Sequence, residues 1–477
     1  MEARQDSNEV GRSTRIFYGL GSIAEGTKDA AFNTFLLFYY NNVLGLPGTL
    51  AGLAIFLALC VDALVDPLIG SISDKTRSRW GRRHPYMYAA VLPVPLFFWL
   101  VFNPPGGLES IELFVWLTAF SMLLRASLSL YAVASNAMAA ELTRRYDERT
   151  EVIGFRFLFG WIAGLSVAVI GYMGFFGPGA DGSDGRLRAE NYMEFGLFCG
   201  LVCATGIFLC AQGTRKLIPQ LRQPTATQHG FVRFFREMRE VLSNSSFRAV
   251  FGSAIFSAAG WGYINAVGYY MNTYFWGFSS RAIGMLTLSM FVSVVLAFML
   301  APFVSRVYDK KQTAIGLKVA AMLLGPAPIF LRYLELMPAN GTPALFWFLF
   351  FHTMLMITLV ISISILIASM ITDITDQGEL AHGERREGLY SAVVVFAIQA
   401  SAGIGGLLAG LTLDVVRFPQ QLEIVQVPAG TVDALGYVVG PGIMLLFVIS
   451  ALFLLGYRIS RAGHREILAG LAGQRAL

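Results

Sequence analysis

Two aspartates four residues apart are the strongest chemical signal in this chain. Asp62 and Asp66 lie in a long apolar stretch, and a spacing of four places both carboxylates on one face of a helix. Pro67 follows directly and kinks a helix, which frees backbone carbonyl groups nearby. Two carboxylates in a low dielectric either share a proton or hold a hard cation such as sodium. We interpret them as a cation-coupling site; the alternative is a structural ion pair with Arg125 or Arg156.

Other ionisable side chains interrupt apolar stretches, where a charge costs about 2.5 to 3.5 kcal/mol on insertion scales. Glu25, Lys28 and Asp29 fall in the first such stretch. Because Lys28 and Asp29 are adjacent, they point about 100 degrees apart on a helix, and we expect each to have another partner. Lys318 is expected to extend its ammonium group toward the membrane surface.

Arg156 is the main candidate for contact with a solute. Its rigid donor fork suits an anionic or hydroxyl-rich molecule, although it could equally balance Asp62 or Asp66. Polar and aromatic groups near the middle of other apolar stretches complete a pocket of the kind that a polyol or glycoside needs. We therefore predict a substrate-binding set made of Glu25, Arg125, Tyr131, Asn136, Arg156, Trp261, Ser364 and Gln399.

The composition identifies the elements that position these residues. Of 477 residues, 55% are hydrophobic and 14% are charged, and the mean hydropathy is +0.58, so we predict an integral membrane protein. Apolar windows of about 20 residues predict twelve transmembrane helices and an all-α fold. The windows start near Thr14, Thr49, Tyr86, Leu108, Val152, Tyr192, Val250, Ile283, Ala314, Pro343, Tyr390 and Leu435.

Lysines and arginines predict the orientation. With both termini in the cytoplasm, the inner loops hold 27 of these residues and the outer loops hold 5, which follows the positive-inside bias. We therefore expect a multi-pass protein of the plasma (inner) membrane, in contact with the lipid bilayer and not with nucleic acid. A monomer is expected.

An internal repeat divides the predicted spans into six plus six. Tyr18 to Gly21 and Tyr39 to Leu46 in the first half correspond to Phe251 to Ala254 and Tyr270 to Phe278 in the second. Related halves of this kind are typical of secondary transporters with a site near the bilayer midplane. The predicted organisation is a first six-helix half (1–212), a cytoplasmic linker with an amphipathic helix (213–246), a second six-helix half (247–458) and a cytoplasmic tail (459–477).

The loop after the second span carries a basic turn, Asp74-Lys75-Thr76-Arg77-Ser78-Arg79-Trp80-Gly81-Arg82-Arg83. An acid that ends one helix and arginines that begin the next can form a charge latch, which breaks and reforms as two halves rock. With further charged positions in both halves, we predict a conformational latch made of Asp74, Arg82, Arg83, Glu141, Arg149, Asp373, Asp376 and Arg385.

This turn resembles the signature loop of the major facilitator superfamily, in the form typical of the glycoside-pentoside-hexuronide:cation symporters, the melibiose permease group. Matching stretches occur in the same order along nearly the whole chain: Tyr18 to Gly21, Asp62 to Pro67, Glu141 to Thr143, Tyr146 to Thr150, Arg156, and Asp373 to Glu379 with Arg385. The resemblance implies a major facilitator fold and alternating-access transport driven by sodium, lithium or protons. It also implies that Ser129 completes a cation site with Asp62 and Asp66, and that Arg156 lies in the sugar pocket.

The chain departs from melibiose permease in the solute pocket. A Lys-Asp pair of that pocket is replaced here by Glu25-Gly26 and an aspartate by Tyr131 or Ala132, while two tryptophans are replaced by Asn136 and Ser364 and a lysine by Gln399. A melibiose-like substrate is therefore not expected. We predict cation-coupled symport of another glycoside, a uronate or a related anionic sugar. The alternatives are a transporter of a lysolipid-like solute and, least favoured, a receptor-like homologue that does not transport.

Enzymatic activity has no support in the sequence. It contains no nucleophile with its base, no Gly-rich phosphate loop and no metal-ligand cluster. The four cysteines, Cys60, Cys199, Cys203 and Cys210, lie in apolar runs and are interpreted as packing residues. No cofactor is expected apart from the coupling ion.

Overall fold

The computed structural model describes residues 11–142, 146–179, 183–220, 238–307, 309–382, 387–421 and 426–476. Throughout this part of the chain the regular secondary structure is helical, without a strand. The chain forms two compact units. The first consists of Met1–Phe231 with Pro419–Leu422, and the second consists of Val232–Phe418 with Glu423–Leu477.

The first unit begins with two short helices and continues with long apolar ones. Its α-helices are α1 Arg12–Leu20, α2 Ile23–Ala30, α3 Gly48–Lys75, α4 His84–Val91, α5 Pro93–Phe102, α6 Ser110–Leu142, α7 Tyr146–Ile170 and α8 Ala189–Thr214. Pro93 separates α4 from α5 because proline lacks the N–H group that an uninterrupted helix needs. Together these two helices form one span, His84–Phe102.

The second unit repeats the pattern and adds a helix after its last span. Its α-helices are α9 Ser245–Tyr270, α10 Ser280–Val307, α11 Lys310–Leu324, α12 Ala327–Tyr333, α13 Pro343–His382, α14 Glu387–Val415, α15 Ala429–Leu454 and α16 Arg461–Ala476. At about 1.5 Å per residue, the 40 residues of α13 extend for roughly 60 Å, about twice the thickness of a hydrocarbon core.

The predicted all-helical membrane fold is confirmed. Eleven helical segments of the described residues are long and apolar enough to cross a membrane. The first predicted span is helical but irregular, because it is interrupted at Gly21–Ser22 and winds as π-helix over Ala31–Leu36 and Tyr39–Val43. Its ionisable residues lower its hydropathy, so it accounts for the difference from the twelve predicted spans.

The internal repeat is visible in the backbone of both units. The first span ends in a π-helical turn, in which the Leu44 amide donates to the Tyr39 carbonyl. The first span of the second unit ends in the same way, with the Trp276 amide donating to the Met271 carbonyl. A glycine with positive φ, Gly45 at 81° or Gly277 at 66°, follows each turn. The first span therefore ends with the same local backbone structure in both units.

The predicted linker is described only at its ends. Arg215–Gln220 form a 3₁₀ helix, and residues 238–241 are helical. Residues 221–237, which carry most of the predicted amphipathic helix, lie outside the described part. The segment predicted as a tail forms α16, in which Leu471 is buried and Gly470 contacts Leu380 of α13.

A glycine at the crossing of α2 and α7 provides a test of the packing in the first unit. A Cβ atom at Gly26 would lie 2.0 Å from the Gly160 carbonyl oxygen, whereas one at Gly268 would meet nothing within 4 Å. Because the neighbour at Gly26 is backbone, we expect Gly26→Ala to lower the free energy of unfolding by about 1 to 3 kcal/mol. Gly268→Ala should leave it unchanged or raise it slightly. Thermal unfolding of both purified variants measures the difference, and equal stabilities would contradict the described crossing.

Candidate functional site

The first aspartate of the predicted cation site is paired with an arginine. Helix α3 presents Asp62 and α6 presents Arg125, and both side chains are buried. Oδ2 of Asp62 accepts from Nε of Arg125 at 3.0 Å and also from Nη2. Oδ1 of Asp62 is buried and has no hydrogen-bond partner in the described structure. The predicted alternative of an ion pair with Arg125 is therefore present, and it occupies only one of the two carboxylate oxygens.

Asp66 lies one turn further along α3 and has a different environment. Among the described residues it forms no ion pair, and its Oδ1 is buried without a hydrogen-bond partner. Ser129 on α6 is its hydrogen-bonding neighbour, and the charges of Lys28 and Arg125 lie close enough to act on it. The structure thus brings together the predicted cation set of Asp62, Asp66 and Ser129, with an unsatisfied oxygen on each carboxylate.

Lys28 and Asp29 correct an expectation from the sequence. Nζ of Lys28 lies 3.3 Å from Oδ1 of Asp29, so the two adjacent residues do form an ion pair. The long lysine side chain bends around the helix to reach its neighbour, and the angular separation of the two Cβ atoms does not prevent this. Lys28 also lies within electrostatic reach of Asp62 and Glu25, which places it at the edge of the cation set.

Arg156 is paired with Glu25 and not with either aspartate. Its Nη2 donates to Oε1 of Glu25 at 2.6 Å, and its Nη1 donates to the Tyr18 hydroxyl at 3.0 Å and to Oγ of Ser135 at 3.2 Å. Ser135 in turn lies 3.2 Å from the Tyr131 hydroxyl. This polar cluster contains three predicted solute residues, together with Tyr18 and Ser135, which were not predicted to contact the solute.

These contacts define one charge network in the first unit, which includes the exposed Asp29 as well as the buried pair of Asp62 and Arg125. Its acids are Glu25, Asp29, Asp62 and Asp66, and its bases are Lys28, Arg125 and Arg156. Three ion pairs account for three acids and all three bases. Asp66 remains as the acid without an ion pair among the described residues, and a single monovalent cation would neutralise it. Desolvated charge is costly in a membrane, so Asp66 is the residue with a missing partner.

The remaining predicted solute residues do not join the polar cluster through any described contact. Asn136, Ser364 and Gln399 are exposed, and the Ser364 hydroxyl donates to the Val360 carbonyl of its own helix. Trp261 accepts a hydrogen bond on its backbone oxygen from the side chain of Asn265. Both of these hydrogen bonds join residues of a single helix.

The predicted latch residues of the first unit lie in contact. Arg83 donates from Nη2 to Asp74 at 2.5 Å and from Nε to Glu141 at 3.1 Å, and Arg82 donates to the same Glu141 oxygen at 2.6 Å. A further bond joins Arg83 to the Ser73 hydroxyl at 2.6 Å. These contacts tie the end of α3, the start of α4 and the end of α6 together.

A corresponding cluster in the second unit uses partners that the sequence did not indicate. Nζ of Lys310 lies 2.7 Å from Asp373, and Nε2 of His464 on α16 lies 3.1 Å from Asp376 and 3.5 Å from Asp373. The Tyr457 hydroxyl also donates to Asp373, at 3.3 Å. Burial and the Asp373 carboxylate raise the pKa of the Tyr457 hydroxyl, so it remains a donor. The side chain of Arg149 and the whole of Arg385 lie outside the described residues.

The first-unit latch provides a second stability prediction. The Glu141 side chain is only 5% exposed and accepts from two arginines, whereas Asp74 is 51% exposed. Because removal of one partner of a buried ion pair costs about 3 to 5 kcal/mol, we expect Glu141→Gln to lower the free energy of unfolding by that order. Asp74→Asn should cost about 1 kcal/mol or less. Thermal unfolding ranks the two variants, and a larger loss for Asp74→Asn would contradict the described geometry.

Comparison with known proteins identifies the family and the fold. Residues 17–461 match the protein family described as MFS/sugar transport protein. An uncharacterized symporter of Synechocystis sp. is 26% identical, with 95% of each chain covered. The isoprimeverose transporter of Lactiplantibacillus pentosus is 23% identical, with 85% of this chain and 81% of the transporter covered. The inward open structure of the xylose transporter XylE from E. coli aligns with a TM-score of 0.59 at 15% identity, over 95% of this chain and 98% of XylE, and shows the same fold.

Proposed function

Because this chain belongs to the MFS/sugar transport protein family, we propose that it moves a small sugar-like solute together with one monovalent cation by alternating access. Its relatives are named as symporters and sugar transporters, so the predicted class of membrane transporter, and not enzyme, is confirmed. The coupling ion and the solute are the proposed parts.

The unpaired Asp66 is the observation that carries the cation proposal. Two buried carboxylate oxygens without partners, one on Asp62 and one on Asp66, are the hard ligands that sodium or lithium prefers. The Ser129 hydroxyl lies beside them. A proton bound to Asp66 would neutralise its carboxylate in the same way. Binding of either ion neutralises the unpaired Asp66, which lowers the cost of moving the site through a low-dielectric state.

The ion pairs of Arg125 and Arg156 affect which class of solute can bind. Arg125 is held by Asp62 and Arg156 by Glu25, so neither charge is left for an anionic group. The Glu25–Arg156 pair offers a donor and an acceptor side by side, and the Glu25 side chain is 37% exposed. Adjacent hydroxyl groups of a sugar make use of such a pair. We therefore propose a neutral glycoside or sugar in preference to a uronate.

The proposed location is the inner membrane, with both termini in the cytoplasm and the protein acting as a monomer. The distribution of basic residues, 27 to 5, supports this orientation. In this orientation the cluster of Arg83, Asp74 and Glu141 faces the cytoplasm, where it acts as a latch that opens once per cycle.

Uptake into proteoliposomes tests the proposal. Reconstituted protein is given radiolabelled sugars and glycosides, including isoprimeverose and xylose, under an inward gradient of sodium, lithium or protons, each with the others held equal. We expect one gradient to drive accumulation of one solute above its equilibrium level. Binding without accumulation under every gradient would instead indicate a receptor-like protein. Accumulation of lysolipids alone would indicate the lysolipid alternative.

A further inference from the structure

The second unit contains a buried lysine that the charge network does not use. Lys318 on α11 has no exposed surface. Its Nζ lies 2.6 Å from Oγ of Ser257 on α9 and 2.6 Å from Oγ of Ser450 on α15. The side chain therefore points into the helix bundle of the second unit. The expectation that it extends to the membrane surface is wrong, because two hydroxyl groups inside the bundle satisfy its nitrogen.

The described partners of Lys318 are hydroxyl groups only, and none is a carboxylate. The helices that contribute these partners or pack against α11 are α9, α10, α12, α13 and α15. Their described titratable and charged side chains are Arg248, Tyr263, Tyr269 and Tyr270 on α9, Arg281 on α10, Arg332 and Tyr333 on α12, His352, Asp373, Asp376 and Glu379 on α13, and Asp433 and Tyr437 on α15. None of these forms a described ion pair or hydrogen bond with Lys318.

Two of these groups bond to residues of α11 and can be placed along that helix. His352 bonds the Leu324 carbonyl, six residues from Lys318, which is about 9 Å along a helix. Asp373 binds Lys310, eight residues from Lys318, or about 12 Å. An ammonium ion at this position thus lacks an adjacent counter-charge. A lysine of this kind either has a function or imposes a large cost on insertion.

The hydrogen-bond arrangement accommodates two protonation states. Ser450 donates to the Ser253 carbonyl oxygen at 2.7 Å, so its own oxygen is available as an acceptor. The Ser257 hydroxyl lies 2.8 Å from Ser450 Oγ and 2.6 Å from Nζ, so its hydrogen can turn toward either. A charged Lys318 donates to both serines. A neutral Lys318 donates to Ser450 and accepts from Ser257 after one rotation of a hydroxyl group.

We infer that Lys318, with Ser257 and Ser450, is a reversible proton-binding site in the second unit. The proton binds to the lone pair on Nζ and leaves from the same atom, and no other bond changes. This site is separate from the cation site at Asp66 and exists whichever ion occupies that site. It adds one positive charge to the second unit at low pH and removes it at high pH, and thus provides a second ion-binding step for the transporter.

Nitrogen NMR of the lysine side chains tests this inference directly. The chain has only six lysines, Lys28, Lys75, Lys216, Lys310, Lys311 and Lys318. In full-length protein labelled with ¹⁵N at Nζ, Lys318→Arg removes one signal and assigns it, and Lys318→Met serves if that variant does not fold. Lysines in water titrate near pH 10.4, so we expect the Lys318 signal to change from the ammonium to the amine form at a lower pH than the other five signals. A Lys318 signal that stays that of an ammonium ion until the other lysines titrate would overturn the inference.

Two further variants show whether the titration depends on the serine pair and is independent of the cation site. Ser257→Ala removes the rotating hydroxyl group and should shift the titration midpoint, whereas the control Ser364→Ala, at an exposed serine bonded to its own helix, should not. Asp66→Asn should leave the Lys318 titration unchanged. Loss of the titration in Asp66→Asn would show that the signal reports the cation site, and it would overturn the assignment to a separate site.

Discussion

Asp66→Asn is expected to abolish ion-driven accumulation of solute and to weaken binding of the coupling ion by on the order of 100-fold or more. Removal of one member of a buried charged interaction costs about 3 to 5 kcal/mol, and each 1.4 kcal/mol is a factor of ten. Asparagine retains the shape of the side chain but removes the unpaired carboxylate that we assign to the ion. The variant should therefore fold and insert, and should no longer be stabilised by the ion.

The measurement is thermal unfolding of the purified variant with and without sodium, lithium or a change of pH, followed by gradient-driven uptake. Asp433→Asn is the matched control, since Asp433 is also an acid in a spanning helix and lies in the second unit. The control should retain both responses. Full ion dependence in Asp66→Asn would mean that the missing partner of Asp66 is not the coupling ion.

Glu25→Gln should have the second largest effect, on the solute and not on the ion. It leaves the buried Arg156 guanidinium without its counter-charge, and it removes the acceptor that we assign to a sugar hydroxyl. A hydrogen bond to a charged group contributes about 1.5 to 3 kcal/mol, so affinity for a neutral glycoside should fall by roughly 10- to 100-fold. Affinity for the corresponding uronate should rise, because a carboxylate can then pair with Arg156.

Solute-dependent thermal shifts in Glu25→Gln, compared with Asn136→Ala, measure this effect. Asn136 is exposed and was predicted for the same pocket, so its replacement controls for a general disturbance. Ion-dependent stabilisation should persist in both variants. If Glu25→Gln binds the neutral glycoside as the unaltered protein does, the Glu25–Arg156 pair is structural and the solute binds elsewhere.

The sequence predicts the fold of this chain well because a membrane imposes strong rules. Long apolar runs have to be helical in lipid, and the basic loops are distinct from the spans. The first span departs from the rule because its charged residues and π-helical turns break the simple pattern. That departure lies in the helix that carries Glu25, Lys28 and Asp29, where the charge network needs an irregular, polar segment.

Pairing between helices is the part that sequence patterns do not reveal. The spacing of Asp62 and Asp66 indicates a shared helix face, but only the position of α6 relative to α3 determines that Arg125 reaches Asp62 and leaves Asp66 unpaired. The same is true of three further residues, Tyr18, Ser135 and Lys318. The sequence does not indicate their contacts, because they bind partners on helices distant in sequence.

We propose that one bound cation and one solute stabilise the same state of this protein. The direct measurement is the melting temperature of the detergent-purified protein with sugars, glycosides, uronates, sulfonated sugars and lysolipids, each in sodium, lithium and choline buffers of equal ionic strength at two pH values. Linkage requires that a coupled ion and solute increase each other's stabilisation equally. We expect one solute whose shift grows in the presence of one ion, and we expect this growth to be lost in Asp66→Asn. A solute that stabilises the protein equally in every buffer would contradict the proposal.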